Sequence, residues 1–148
     1  HLAENRERLG IGQGRVAQVG HSAGGHLSLL HRSHPLLHHV MAISPLVDLE
    51  PISLSWLNDK LQLTPAEVDL HSPFLHIGKG GPTMTVAVGK AELPELVRHA
   101  GEYAATAQGA GEWADYLLLK DRDHFSVLED LASSSGLLMK TLARALEQ

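Results

Sequence analysis

The stretch Val16-Ala17-Gln18-Val19-Gly20-His21-Ser22-Ala23-Gly24-Gly25-His26 constrains this chain more than any other. An apolar run leads into Gly20-x-Ser22-x-Gly24, and Leu27-Ser28-Leu29-Leu30 continues beyond it. Read physically, this is a buried strand, a tight turn with a serine at its tip, and the first turns of a helix. A serine on such a strained turn needs neighbours without side chains two positions before and two after, so that strand and helix can approach. The turn lifts Oγ above the sheet and points the Ala23 N–H at the place where an oxyanion would form, and the helix N-terminus adds its partial positive charge there. Ser22 is the candidate nucleophile and Ala23 the candidate oxyanion donor.

The rest of the chain alternates strand and helix. His39-Val40-Met41-Ala42-Ile43-Ser44, ended by Pro45, suits a strand buried on both faces. Thr83 to Gly89 and Trp113 to Leu119 read as the third and fourth strands. Between them a helix begins near Pro94, with Leu96, Ala100, Tyr103 and Ala107 at helical spacing. Residues 46–81 have no strong period and carry one clear helix start, Thr64-Pro65-Ala66-Glu67. An excursion of that length predicts a lid or a substrate-facing loop. Ser126-Val127-Leu128-Glu129 reads as a capping box opening the last helix, which residues 133–136 break in two. Four alternations without a hairpin signal predict one α/β domain, a parallel sheet of about four strands with flanking helices. Residues 2–10 read as the last turns of a helix capped by Gly10, and the chain opens on His1. The expectation is therefore a domain without its N-terminal part, leaving an apolar sheet edge uncovered at Val16–Val19.

The 148 residues are 43% apolar, enough for one real core. A formal net charge of −5 leaves no basic patch, which argues against nucleic acid and anionic membranes as partners. No apolar run approaches the roughly 20 residues of a membrane span. The absence of cysteine excludes disulfides and thiolate metal sites and fits a reducing compartment, so a cytoplasmic location is expected. The expected partner is a small-molecule substrate, and a homodimer is left open. Gly10-x-Gly12-x-Gly14 precedes the strand, where a dinucleotide loop would follow it, and reads as plain loop. His31, His34, His38 and His39 have no carboxylate at ligand spacing, so no metal site is expected.

A lone serine is a poor nucleophile and needs a base, which in turn needs a carboxylate to hold its tautomer. In an open α/β sheet these groups come from loops at the carboxyl ends of the strands. After the fourth strand there is one histidine, His124, in the loop Asp121-Arg122-Asp123-His124-Phe125. Glu92, Asp48 and Glu95 all satisfy the chain order serine, acid, histidine. Glu92 lies closest behind its strand, whereas Asp121 and Asp123 read as turn residues.

These residues resemble the α/β-hydrolases, and more narrowly the kynurenine formamidases. The elbow Gly20-His21-Ser22-Ala23-Gly24-Gly25-His26-Leu27 carries the broader likeness. Ala42-Ile43-Ser44-Pro45-Leu46-Val47-Asp48-Leu49-Glu50-Pro51-Ile52 with Leu57-Asn58, Ser72-Pro73, Gly89-Lys90-Ala91-Glu92-Leu93-Pro94-Glu95-Leu96 and Asp123-His124-Phe125 carry the narrower one. The resemblance implies the C-terminal half of an α/β-hydrolase fold and a Ser22, Glu92, His124 triad, with glutamate in place of the more usual aspartate. It also implies cleavage of an aryl formamide such as N-formyl-L-kynurenine, without metal or organic cofactor. Trp56 and Asn58, in the substrate-facing excursion, are candidate substrate contacts that read equally as packing and a cap. Pro45 stands where the family often has glycine. The family's upstream His-Gly-Gly stretch, which supplies further oxyanion donors, has no counterpart in residues 1–19, so the 148-residue chain alone is expected to be weak or inactive. A carboxylesterase acting on small esters and a non-catalytic hydrolase-like domain are the competing expectations.

Overall fold

The computed structural model describes residues 1–147. Four parallel strands, β1 (Ala17–His21), β2 (His39–Ile43), β3 (Thr83–Gly89) and β4 (Ala114–Leu119), form one sheet in the order β1-β2-β3-β4. Helix α1 (Ala23–Leu30) links the first two strands. The short helices α2 (Glu50–Ser53), α3 (Asn58–Leu61) and α4 (Pro65–His71) and a 3₁₀ turn (Pro73–His76) fill the excursion to β3. Helix α5 (Pro94–Gly109) joins β3 to β4, and α6 (Val127–Ala132) and α7 (Leu137–Glu147) follow.

The apolar pattern explains the layering. Every residue of β2 is buried, and alternate side chains feed two cores. Val40 and Ala42, with Met84, Val86 and Val88 of β3, pack against Leu29 of α1 and Ala100, Tyr103, Ala104 and Ala107 of α5. Met41, Ile43 and Ala87 pack on the other face against Val127 of α6 and Leu138 of α7. A sheet whose order follows the chain places successive crossover helices on one face, and α1 and α5 share that face here. β1 is an edge strand of the sheet, with Val19 38% exposed.

Three local expectations need correction. Residues 2–10 form a 3₁₀ turn (Ala3–Asn5) and a series of hydrogen-bonded turns, not a continuous α-helix, in keeping with a segment too short to sustain one alone. Gly10 nevertheless takes the left-handed conformation, φ 66°. The capping box at Ser126 does not form, because its hydroxyl donates to Asp123 Oδ1 at 2.9 Å and Glu129 pairs instead with Arg122 at 2.6 Å. The glycine-rich loop turns carbonyls inward, and those of Gly12 and Gly14 accept from the Arg6 guanidinium. The third correction concerns the elbow glycines: Gly20 is required, since a Cβ there would collide with the Gly24 carbonyl, but one at Gly24 meets nothing within 4 Å among the described residues. The second close approach belongs to Gly25, where a Cβ would lie 3.1 Å from the Ile43 carbonyl and the Pro45 side chain. The capping box at Thr64 and Glu67 does form. No helix among the described residues is long and apolar enough to cross a membrane.

Candidate active site

The site is assembled by chain segments leaving the carboxyl edge of the sheet. Each donates one further hydrogen bond to the next strand: Ser22 N–H to the Ile43 carbonyl at 2.9 Å, Ser44 N–H to that of Ala87 at 2.7 Å, and Lys90 N–H to that of Leu119 at 2.8 Å. This staircase fixes where the three loops begin. Ser22 itself sits at φ 55° and ψ −118°, immediately before α1. An L-residue pays strain in that region, and here the flanking strand and helix impose it. Ala23 opens α1, so its N–H is one of those that a helix leaves without an internal partner.

His124 approaches from the loop after β4. Its Nε2 lies 3.1 Å from Ser22 Oγ and its Nδ1 lies 2.7 Å from Glu92 Oε2. A carboxylate only accepts, so the proton sits on Nδ1 and Nε2 is left to accept from the serine hydroxyl. The Glu92 side chain is fully buried. Its Oε1 accepts from Ser44 Oγ at 2.5 Å and from the Gly89 N–H at 2.8 Å. The loops holding acid and base are themselves joined, because Ala91 N–H donates to the Arg122 carbonyl at 2.9 Å. A Cβ on Gly89 would collide with that same carbonyl, which explains the glycine.

The other carboxylates are occupied elsewhere. Asp48 Oδ1 accepts the N–H of Glu50, the first residue of α2, and Glu95 pairs with Arg98 at 2.6 Å. Asp123 Oδ1 accepts the N–H groups of Phe125 and Ser126, which shapes the loop beneath His124. Those bonds from Ser126 and Phe125 hold its carboxyl below the usual carboxylate range. Trp56 is 76% exposed, and Asn58 Oδ1 accepts the Leu63 N–H at 2.7 Å. Asn58 also lines a cavity of about 530 Å³ with Asp48, Leu54, Val68 and Phe74; Ser22, His124 and Glu92 are not among its lining residues. Of the histidines weighed as ligands, His34 Nδ1 accepts from Leu36 N–H and His38 Nδ1 from Val16 N–H, while His39 bonds Thr83 and Thr85.

Two contributors escape sequence reasoning. Ser44 reaches Glu92 from β2, a strand end whose residues carry no spacing signal toward the acid loop. His21 bonds the His124 carbonyl through Nε2 at 2.7 Å, with the two rings 4.6 Å apart. Its position next to the serine in the elbow is the one available hint.

No family model matches the chain. In sequence it is 29% identical to the kynurenine formamidase of Danio rerio over 138 aligned positions, covering 84% of this chain and 47% of that protein. In structure it superposes on a candidate thioesterase of Silicibacter sp. TM1040 with a TM-score of 0.79 at 28% identity, over 95% of this chain and 55% of the other. An esterase of Pyrobaculum calidifontis superposes with a TM-score of 0.77 at 19% identity, over 99% of this chain and 57% of the other. The chain has the α/β-hydrolase fold and a kynurenine formamidase-like sequence. The chain spans about half the length of the curated relative that it matches.

Proposed function

We propose that this chain carries the Ser-His-Glu apparatus of a serine hydrolase that cleaves an aryl formamide, converting N-formyl-L-kynurenine to kynurenine and formate. One observation carries the reading: Ser22, His124 and Glu92 stand in a continuous hydrogen-bonded chain at the carboxyl edge of a parallel sheet. The sequence likeness to a kynurenine formamidase supports the choice of substrate class.

In this reading His124 Nε2 takes the proton of Ser22 as Oγ attacks the formyl carbon. Glu92 steadies the imidazolium through Nδ1, and the Ala23 N–H donates to the oxyanion. His124 then returns the proton to the departing aryl amine. Water, deprotonated by the same imidazole, attacks the formyl ester of Ser22; the acyl–Oγ bond breaks, the imidazolium returns its proton to Oγ, and formate leaves.

A fluorophosphonate probe tests the nucleophile directly, because it needs one covalent event and no turnover. Stoichiometric labelling of Ser22, abolished in S22A and H124A, is the expected result; a well-folded but unlabelled chain would refute the reading. The substrate class is tested by rates on N-formyl-L-kynurenine and an aryl acetate measured side by side at high enzyme concentration. Turnover by the 148-residue chain is expected to be slow, since the Ala23 N–H is the one oxyanion donor proposed for it and a single donor is worth about 10²–10³. A higher kcat/KM on the formamide is expected, and preference for the acetate would make the protein an esterase. E92Q should lower kcat by about 10³–10⁴ with KM little changed, through loss of the productive tautomer.

A further inference from the structure

We infer that Ser44 is a positioning residue for the acid of the triad, an assignment that rests on the hydrolase reading above. Ser44 is fully buried at the end of β2, and its hydroxyl donates to Glu92 Oε1 at 2.5 Å. Together with the Gly89 N–H on the same oxygen and His124 on the other, it gives the carboxylate partners from three separate elements. Three such contacts fix the carboxylate plane so that Oε2 faces His124 Nδ1. A glutamate has one more rotatable bond than an aspartate, so it has more freedom to lose and gains more from a second donor on Oε1.

The backbone argues for the same role. Ser44 stands at φ 48°, in the left-handed region where a side chain is disfavoured and glycine is not. If the position served only to turn the chain into Pro45, glycine would serve it better. The hydroxyl is what a glycine could not supply. Without the hydroxyl, Oε1 of a carboxylate with no exposed side-chain surface would keep the Gly89 N–H and lose its second donor.

The test is a double-mutant cycle on the 148-residue chain, read as the rate of Ser22 labelling by a fluorophosphonate and as thermal unfolding. S44A and S44G should each slow labelling about tenfold, the equivalent of one charge-assisted hydrogen bond imperfectly replaced. S44G keeps the test alive if S44A unfolds, because it removes the hydroxyl and relaxes the left-handed backbone together. In an E92A background neither change should slow labelling further, which a merely structural role for Ser44 would not predict. Wild-type labelling rates in S44G, or the same slowing with and without Glu92, would overturn the assignment. An unlabelled wild-type chain would instead overturn the hydrolase reading itself, and no Ser44 variant is needed to see it.

Discussion

A serine held at φ 55° and ψ −118° carries strain of about 1–3 kcal/mol, and it persists only because its neighbours leave no alternative. Gly20 is the neighbour that matters most, since any Cβ there meets the Gly24 carbonyl and the Ser28 hydroxyl. G20A should therefore destabilise the fold by about 3 kcal/mol, the range of an overpacked site that cannot relax. Gly24 lies inside α1 with open space where a Cβ would go, so G24A should leave stability unchanged or raise it by about 0.5–1 kcal/mol. Thermal unfolding of the two variants checks the contrast, and equal losses would show that both glycines are steric requirements. The serine at the tip of the turn was legible because its pattern couples two glycines to a strand and a helix. Which glycine lies against which backbone was not, because spacing along the chain says nothing about the neighbour across the turn. Ser44 was invisible for the same reason, as a buried hydroxyl before a proline has no signature of its own.

At the scale of elements, the alternation of apolar runs and helical spacing was enough to set the strands in order. β2 shows why, since its continuous apolar run can only be buried on both faces. What periodicity could not show is how the ends are tied. Arg32, just after α1, and Glu112, just before β4, form an ion pair of 2.6 Å with both side chains 7% exposed. Glu112 Oε1 also accepts the Gly78 N–H on the approach to β3, so one carboxylate gathers three segments at the amino edge of the sheet. Eighty positions separate the partners, and nothing local marks either of them. E112A leaves a buried guanidinium without its counter-charge and should cost about 3–5 kcal/mol in chemical denaturation. The double replacement R32M/E112L should cost much less, because it removes both charges at once. Equal losses in the single and double variants would mean that packing, not charge, holds this edge.

The whole molecule thus has two unlike edges, joined by the same four strands. The carboxyl edge holds strained backbone and the serine, histidine and glutamate, and the amino edge holds buried polar groups that serve stability. His39 at the start of β2 belongs to the second set and is 3% exposed. Thr83 Oγ1 donates to the His38 carbonyl, so it accepts from His39 Nδ1, which leaves Nε2 to accept from the Thr85 hydroxyl. The structure therefore holds a neutral imidazole. Burial lowers its pKa below the ordinary histidine value, with Asp115 opposing and Arg15 reinforcing the shift. The unfolded chain then binds a proton at His39 more readily than the folded one, so stability rises with pH across this window. The contribution is present above the unfolded value of about 6.5 and is lost as pH falls through the lower folded one. His39→Gln can bond a threonine but has no proton to take up. Its stability deficit against wild type should be largest near pH 8 and shrink as the solution is taken toward pH 5, read from urea midpoints at each pH. A deficit that stays constant would mean that folding leaves the proton affinity of His39 unchanged, and one that widens on acidification would mean that the folded chain holds the proton more tightly than the unfolded one. In the second case both ring nitrogens would donate, Nδ1 to Thr83 Oγ1 and Nε2 to Thr85 Oγ1.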